Sequence, residues 1–205
     1  MLSTTPEGMR NTETDLTENI AARVAFGRKA RGYSLDALAA RSSVSRSMIS
    51  LIERAESSPT AAVLDRLARA LGVTLASLFE PLGGPAGANP VSGPANRTSW
   101  RDPESGYVRC NVSPPGVPQP MQIVEVRFPP GRRVAFDMGP RNARVYQQVW
   151  VLEGAINITL GEKTHALKEG DCLAMELDRP NSIHNPTRRV TRYAIVVASE
   201  PLTLR

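Results

Sequence analysis

The hydrophobic pattern divides the chain into two parts with different periods. In residues 16–80 apolar side chains recur every three or four positions, as on one face of a helix, whereas residues 98–205 alternate apolar and polar side chains, as strands do. Between them, the sequence PLGGPAGANPVSGPANR at 81–97 has the composition of a flexible linker. The pattern predicts a disordered tail at 1–15, an α domain and then an all-β domain.

Five short helices are predicted in residues 16–80. Leu16, Ile20 and Val24 form the buried stripe of the first helix, and Gly32 ends it. The stretch VTLASLF at 73–79 is predicted to form the fifth helix. The three helices between them each begin after a hydroxyl side chain that can cap free backbone N–H groups. These caps are Ser34, Ser45 and Thr60.

The second and third predicted helices have helix-turn-helix geometry, because two helices of about eight residues are joined by a short turn. Ile49 and Ile52 direct one face of the third helix toward the bundle. The opposite face carries small hydroxyls and one arginine, which suit close approach to a DNA major groove. Its residues are Ser45, Arg46, Ser47 and Ser50. Alternatively, Ser45 and Ser47 are only cap and surface residues.

The charge of the chain is concentrated in the same region. The formal net charge is +5, and residues 20–54 contain seven basic side chains against Asp36 and Glu53. An excess of positive charge on a small helical unit is suited to a polyanion such as DNA. The basic residues are Arg23, Arg28, Lys29, Arg31, Arg41, Arg46 and Arg54.

Residues 18–80 closely resemble the helix-turn-helix domain of the phage-repressor-like transcription regulators called the XRE family. The stretch that carries the resemblance is LAARSSVSRSMISLIERAESSPTAAVLDRLARALGVTLASLF. It implies a five-helix, λ-repressor-like bundle that binds double-stranded DNA. It also implies that Arg46, Ser47, Ser50 and Leu51 face the bases. Ser34, Leu35 and Arg54 are implied to lie close to backbone phosphates. Ser43 stands where a turn glycine is usual.

The stretch VWVLEGAINITLGEKTHALKEGDCLAMELDRPNSIHNPT strongly resembles the cupin family, whose fold is a jelly-roll β-barrel. Where metal-binding cupins carry a carboxylate and a second-motif histidine, this chain has Gln147 and Asn181. The paired-histidine positions fall within 140–143 and hold none. The chain has two histidines, His165 and His184, too few for a three-histidine site. We therefore predict a barrel without a metal or other cofactor.

The buried amides at Gln147 and Asn181 predict a ligand cavity, because a buried amide without a partner is costly. Arg109 and Arg141 are candidates for neutralising an anionic ligand. A barrel that serves only for dimerisation is the alternative. The predicted ligand-binding residues are Phe136, Tyr146, Gln147, Met175, Asn181 and His184.

Together these patterns predict a cytoplasmic, sequence-specific DNA-binding regulator of the repressor type. A homodimer is expected on a near-palindromic operator, because one short helix buries too little surface for useful specificity. A small molecule bound in the barrel is expected to modulate the activity of the regulator. We find no nucleophile with an adjacent base and no apolar run that could span a membrane, so neither an enzyme nor a membrane protein is predicted. The alternative is a cupin enzyme, isomerase-like or oxygenase-like, with a helix-turn-helix appendage.

Overall fold

The computed structural model describes residues 8–80, 82, 89–117, 119–137 and 143–201. Within these residues the amino-terminal part contains four α-helices, followed by two short 3₁₀ turns at Ala76–Phe79 and Pro94–Asn96. The helices are α1 (Gly8–Ala30), α2 (Leu35–Ser42), α3 (Arg46–Glu53) and α4 (Ala61–Ala70).

The prediction of five helices is wrong, because the fifth is a 3₁₀ turn of four residues, Ala76–Phe79. So short a segment forms only i→i+3 bonds and cannot build an α-helical ladder. Thr74 begins the turn by accepting a hydrogen bond from the Ser77 backbone N–H at 3.1 Å. The amino-terminal boundary differs as well, since α1 begins at Gly8, inside the segment predicted as a tail.

The predicted caps are confirmed, and so are the predicted buried residues of α1 and α3. The hydroxyls of Ser34, Ser45 and Thr60 accept hydrogen bonds from backbone N–H groups in the first turns of α2, α3 and α4. Ser43 ends α2 in the left-handed region, at φ 55° and ψ 29°, where a residue with a Cβ is strained. The buried side chains that hold the four helices together include Leu16, Ile20, Val24, Leu38, Ile49, Ile52, Leu64, Leu67 and Leu71.

The carboxyl-terminal part consists of two antiparallel sheets. Ten strands are described. They are β1 (Ser99–Arg101), β2 (Val108–Asn111), β3 (Met121–Phe128), β4 (Arg133–Phe136), β5 (Ala143–Glu153), β6 (Ala155–Leu160), β7 (Lys163–Lys168), β8 (Cys172–Glu176), β9 (Asn181–His184) and β10 (Thr191–Pro201). The order is β1-β2-β3-β10-β5-β8 in one sheet and β4-β9-β6-β7 in the other.

The predicted closed barrel is therefore corrected to a sandwich of two open sheets. A barrel requires every strand to have two hydrogen-bonded neighbours. In the described residues, the edge strands β1, β8, β4 and β7 each have one. The chain changes sheet at Gly154, whose φ of +84° gives a sharp corner between β5 and β6. Valine and isoleucine side chains fill the space between the sheets, among them Val124, Val149, Ile156 and Ile158.

The helical and sheet parts share one core. A row of aromatic rings runs from the 3₁₀ turn into the sandwich, with successive ring centroids 5.4 to 6.3 Å apart. Asp102 adds a polar link, because its Oδ1 accepts a hydrogen bond at 2.8 Å from the backbone N–H of Ala61, the first residue of α4. The two parts therefore form a continuous structure across this contact. The rings are Phe79, Trp100, Tyr107, Phe128 and Tyr193.

Candidate nucleic-acid interface and ligand cavity

The exposed side of α3 is the candidate nucleic-acid interface. Ile49 and Ile52 are fully buried on its inner side and fix its orientation against the bundle. The hydroxyl of the cap residue Ser45 accepts a hydrogen bond from the Met48 backbone N–H at 3.2 Å and so satisfies one of the N–H groups of the first turn. Ser45, Arg46 and Ser47 are exposed, and Ser50 and Leu51 are partly exposed.

The two arginines of this face are held by exposed carboxylates. Arg46 Nε lies 3.5 Å from Asp36 Oδ1 on α2, with the two side chains 67% and 74% exposed. Arg54 makes a two-pronged contact with Glu56 at 2.9 and 2.8 Å and donates to the Ser50 hydroxyl at 2.5 Å. Such exposed pairs contribute little to stability and exchange readily. The guanidinium groups can therefore turn to phosphates or base edges.

The other predicted DNA contacts lie at the start of α2. Ser34 is exposed, and its hydroxyl already accepts the Ala37 backbone N–H at 3.1 Å. Leu35 is half-buried and packs against the core, so only part of it remains on the surface. Ser34 and Leu35 directly precede Asp36, the partner of Arg46, at the start of α2.

Part of the basic cluster has a structural role instead. Arg28 on α1 makes a two-pronged contact with Glu53 on α3 at 2.6 and 2.7 Å and donates to the Tyr33 carbonyl at 2.9 Å. These hydrogen bonds raise the pKa of Arg28 above its ordinary value. Arg23 donates to the Glu80 carbonyl at 2.8 Å. Arg28 therefore joins α1 to α3 and is not available to a polyanion.

A second candidate site is a cavity of about 50 Å³ between the two sheets. Its lining includes three of the predicted ligand residues, Phe136, Gln147 and Asn181. One end is closed by residues of the helical part, so a molecule in the cavity would touch both parts of the chain. These residues are Asp65, Thr74, Leu75 and Ala76.

The other three predicted ligand residues do not line this cavity. Tyr146 precedes Gln147 on β5 and is 38% exposed, and His184 follows Ile183, a lining residue, on β9. Because successive side chains of a strand point to opposite faces, both are directed away from the interior. Met175 is buried on β8 as the cross-strand neighbour of Gln147, outside the lining.

The residues of the cavity do not fit a metal site of the cupin type. Its lining offers the amides of Gln147 and Asn181, which are poor ligands for zinc or iron, and one carboxylate, Asp65. Over the part of the chain that the structure describes, no three histidine, cysteine, aspartate or glutamate side chains cluster as metal ligands. Positions 140–142, where two histidines would be expected, lie outside the described residues.

The sequence pattern gave less weight to Arg109, which the structure places in the cavity wall. It lies on β2, two residues after Tyr107, so both side chains point to the same, inner face. Burial lowers the pKa of Arg109 and raises the pKa of the Tyr193 hydroxyl well above its ordinary value. The local sequence VRC gave no signal for this position, because alternation would place the apolar Val108 and Cys110 inward and Arg109 outward.

A comparison with protein families matches residues 27–78 to the helix-turn-helix model. Residues 27–78 are a helix-turn-helix domain of the XRE type. A solved structure of an HTH_3 family transcriptional regulator from Vibrio cholerae is 25% identical to this chain, with a TM-score of 0.70 over 90% of this chain and 97% of that one. The helix-turn-helix domain and the sheet-rich part thus occur together in another chain. No curated protein matches.

Two further solved structures are similar at lower scores. The cupin domain of an XRE family transcriptional regulator from Enterobacter cloacae is 15% identical, with a TM-score of 0.41 over 45% of this chain and 95% of that one. Hydroxypropylphosphonic acid epoxidase from S. wedmorenis is 19% identical, with a TM-score of 0.40 over 89% of this chain and 98% of that one.

The prediction that this chain is not an enzyme is corrected, because the structures similar to it include an enzyme as well as transcriptional regulators.

Membrane insertion through a helix is a separate question. None of the helices in the described residues is long and apolar enough to cross a bilayer.

Proposed function

We propose that the chain is a sequence-specific, DNA-binding transcriptional regulator that binds its operator as a homodimer in the cytoplasm and acts as a repressor. The observation that carries this proposal is the amino-terminal face of α3. Buried Ile49 and Ile52 fix the helix from behind, and small hydroxyls around Arg46 leave room for a groove. In this arrangement the helix enters the major groove and Arg46 binds a base.

The operator is expected to be near-palindromic, because each protomer presents one recognition helix. In a two-fold dimer the two helices lie about one DNA turn, roughly 34 Å, apart. Ser47, Ser50 and Leu51 follow Arg46 along the groove. Ser34, Leu35 and Arg54 lie beside the phosphates. Ser45 caps α3 at the point where its free N–H groups can meet a phosphate.

The outer face of the six-stranded sheet is the proposed dimer surface. Met121, Ile123, Tyr146 and Trp150 are between 38% and 51% exposed. The register places Met121 and Tyr146 on either side of Ala198, so these side chains form one continuous apolar area across β3, β10 and β5. Large exposed apolar areas are rare on monomers, and a self-complementary patch fits a two-fold dimer.

The cavity supports modulation by a small molecule. A sheet domain that served only for dimerisation would have a filled interior, whereas this sandwich has open space lined by the amides of Gln147 and Asn181. Asp65 and Thr74 of the helical part share that lining, so an occupant contacts the domain that carries α3. A ligand that fits one arrangement of this junction better than another shifts the DNA-competent population.

The proposal is tested by selecting bound sequences from a random DNA pool with the full chain and then measuring affinity for the best one. Arg46→Ala is expected to weaken that affinity by about 1–3 kcal/mol, roughly fivefold to 150-fold. Arg179→Ala is the matched control, because Arg179 is also an exposed arginine beside an aspartate, but in the sheet part. Failure to select any sequence, or equal affinities for both variants, contradicts the proposal.

The dimer is tested by sedimentation velocity. Trp150→Glu places a charge in the exposed apolar area and is expected to give monomers at concentrations where the unaltered chain is dimeric. Ala166→Glu, at an exposed position on β7 of the other sheet, is the control and should leave the dimer intact. If the Trp150→Glu variant is still dimeric, the dimer interface lies on another surface.

A further inference from the structure

Arg109 is a buried cation without an anionic partner. Its residue is 6% exposed, and its Nε has no hydrogen-bond acceptor. In the described residues, no ion pair or hydrogen bond is formed by its guanidinium. The Phe79 ring lies 5.3 Å from it and offers a cation–π contact, which stabilises the charge only in part. A buried arginine in this state is strongly unfavourable unless something else neutralises it.

The other buried charges of this region do have partners. Asp65 and Arg69 of α4 form an ion pair at 2.9 Å. Asp102 accepts hydrogen bonds from the Ala61 N–H at 2.8 Å and from the Ser105 N–H at 2.7 Å. The ionic side chains of Asp65, Arg69 and Asp102 thus have charged or polar partners, whereas the Arg109 guanidinium in the cavity wall has none among the described residues. That contrast points to a partner from outside the chain.

The surroundings of Arg109 define the chemistry of that partner. Tyr107 and Tyr193 line the cavity with it and are close enough to couple with its charge. Their hydroxyls can donate hydrogen bonds to an anion. The remaining wall is largely apolar, with Val126, Phe128 and Ile195.

We propose that the cavity binds a small monocarboxylate, whose carboxylate pairs with the Arg109 guanidinium and whose short alkyl chain contacts the apolar wall. This assignment rests on the proposed role of the cavity as the effector site. A volume of about 50 Å³ holds roughly four water-sized groups, which limits the ligand to a short chain. An arginine fork matches the two carboxylate oxygens.

The lining also selects against a second negative charge. Its other ionic side chain is the carboxylate of Asp65, which is paired with Arg69 on the side of the helical domain. A dicarboxylate would therefore bury its second charge without a cation to pair with, in a closed and poorly hydrated space. The ligand class is therefore a single carboxylate with an apolar end, and succinate should be excluded.

The test is a titration of the full chain with the sodium salts of formate through hexanoate, followed by thermal unfolding and calorimetry. At least one member should bind saturably and raise the unfolding midpoint by roughly 5 °C at a hundredfold excess over its Kd. The amide of the same acid, and succinate, should not. If no monocarboxylate binds, or if the amide binds equally well, the proposal is wrong.

Two variants assign the effect to Arg109. Arg109→Met removes the unpaired charge at similar volume, so it should abolish carboxylate binding while the midpoint without ligand stays the same or rises. A lower midpoint would mean that the charge has a structural partner, and would overturn the proposal. Arg109→Lys keeps the charge but not the fork and should weaken binding about tenfold. Arg179→Met, on the surface, should bind as the unaltered chain does.

DNA affinity separates this inference from the proposed function. Without ligand, Arg109→Met should bind the selected operator as tightly as the unaltered chain, because Arg109 does not touch α3. Intact operator binding in a chain that ignores monocarboxylates overturns the ligand class alone. Loss of operator selection in the unaltered chain overturns the proposed function.

Discussion

The exposed face of α3 and the cavity between the sheets both contain arginines, but those of α3 are exposed and paired, whereas that of the cavity is buried and unpaired. Arg46 and Arg54 are each held by a carboxylate in water, Asp36 and Glu56. Arg109 is buried, and no carboxylate of the described residues pairs with it. On the surface an ion pair is worth little and its partner can be exchanged, so pairing there is compatible with binding a polyanion. In the interior a missing partner is costly, so its absence marks a site.

The largest expected effect on stability comes from removing the buried carboxylate of Asp102, and it is compared with the loss of a carboxylate at the surface. Asp102 is 2% exposed, and its oxygens accept from the backbone N–H groups of Ala61 and Ser105 and from the Ser105 hydroxyl. Asp102→Ala leaves these donors unpaired at the junction of the two parts. We expect it to lower the free energy of unfolding by about 3 kcal/mol, as measured by urea denaturation.

Asp171 provides the matched control. It also accepts a backbone N–H, that of Lys168 at 2.9 Å, but at a turn on the surface. Asp171→Ala should cost about 1 kcal/mol or less, since water replaces the lost acceptor. If the two variants were equally stable, burial would not distinguish the two sites.

The second-largest expected effect on stability distinguishes two arginine–glutamate pairs, in each of which two guanidinium nitrogens bind the carboxylate. Arg28 and Glu53 are 14% and 12% exposed and join α1 to α3, whereas Arg54 and Glu56 are about half exposed. Glu53→Gln should lower the free energy of unfolding by about 1–2 kcal/mol, because it weakens two charged hydrogen bonds in a partly buried contact. Glu56→Gln should leave the urea midpoint unchanged. A larger loss in Glu56→Gln would reverse the assignment of the two pairs.

The helical part was largely predictable from the sequence because its determinants are local. A hydroxyl at Ser34, Ser45 or Thr60 caps the helix that follows it within three residues. Apolar spacing identified the buried stripe of each helix. A fifth helix was predicted because VTLASLF is apolar enough to form one. The segment is so short that it forms a 3₁₀ turn instead, and hydrophobic periodicity does not distinguish the two.

The cavity was only partly predictable because its determinants are distant in sequence. The inward position of Gln147 and Asn181 followed from the family pattern. That pattern did not predict that the sheets are open, or that Asp65 of the helical part lines one end of the cavity. Asp102 meets Ala61 across 41 positions, and no local signal predicts that bond. The absence of a partner for Arg109 is likewise a property of the folded structure, since a sequence shows which charges exist and not which of them meet.

The smallest expected effect returns to the surface pair and concerns DNA affinity. If the carboxylate of Glu56 merely holds Arg54 until a phosphate replaces it, removing that carboxylate frees the guanidinium at no structural cost. Glu56→Gln should then bind the selected operator about threefold more tightly at low salt, and the gain should shrink as salt rises, because phosphate contacts are screened. Glu162→Gln removes the same charge from the turn between β6 and β7 and controls for net charge. Equal gains in both variants would show that the pairing of Arg54 has no part in DNA binding, and the contrast between exchangeable surface partners and a missing interior partner would then rest on Arg46 alone.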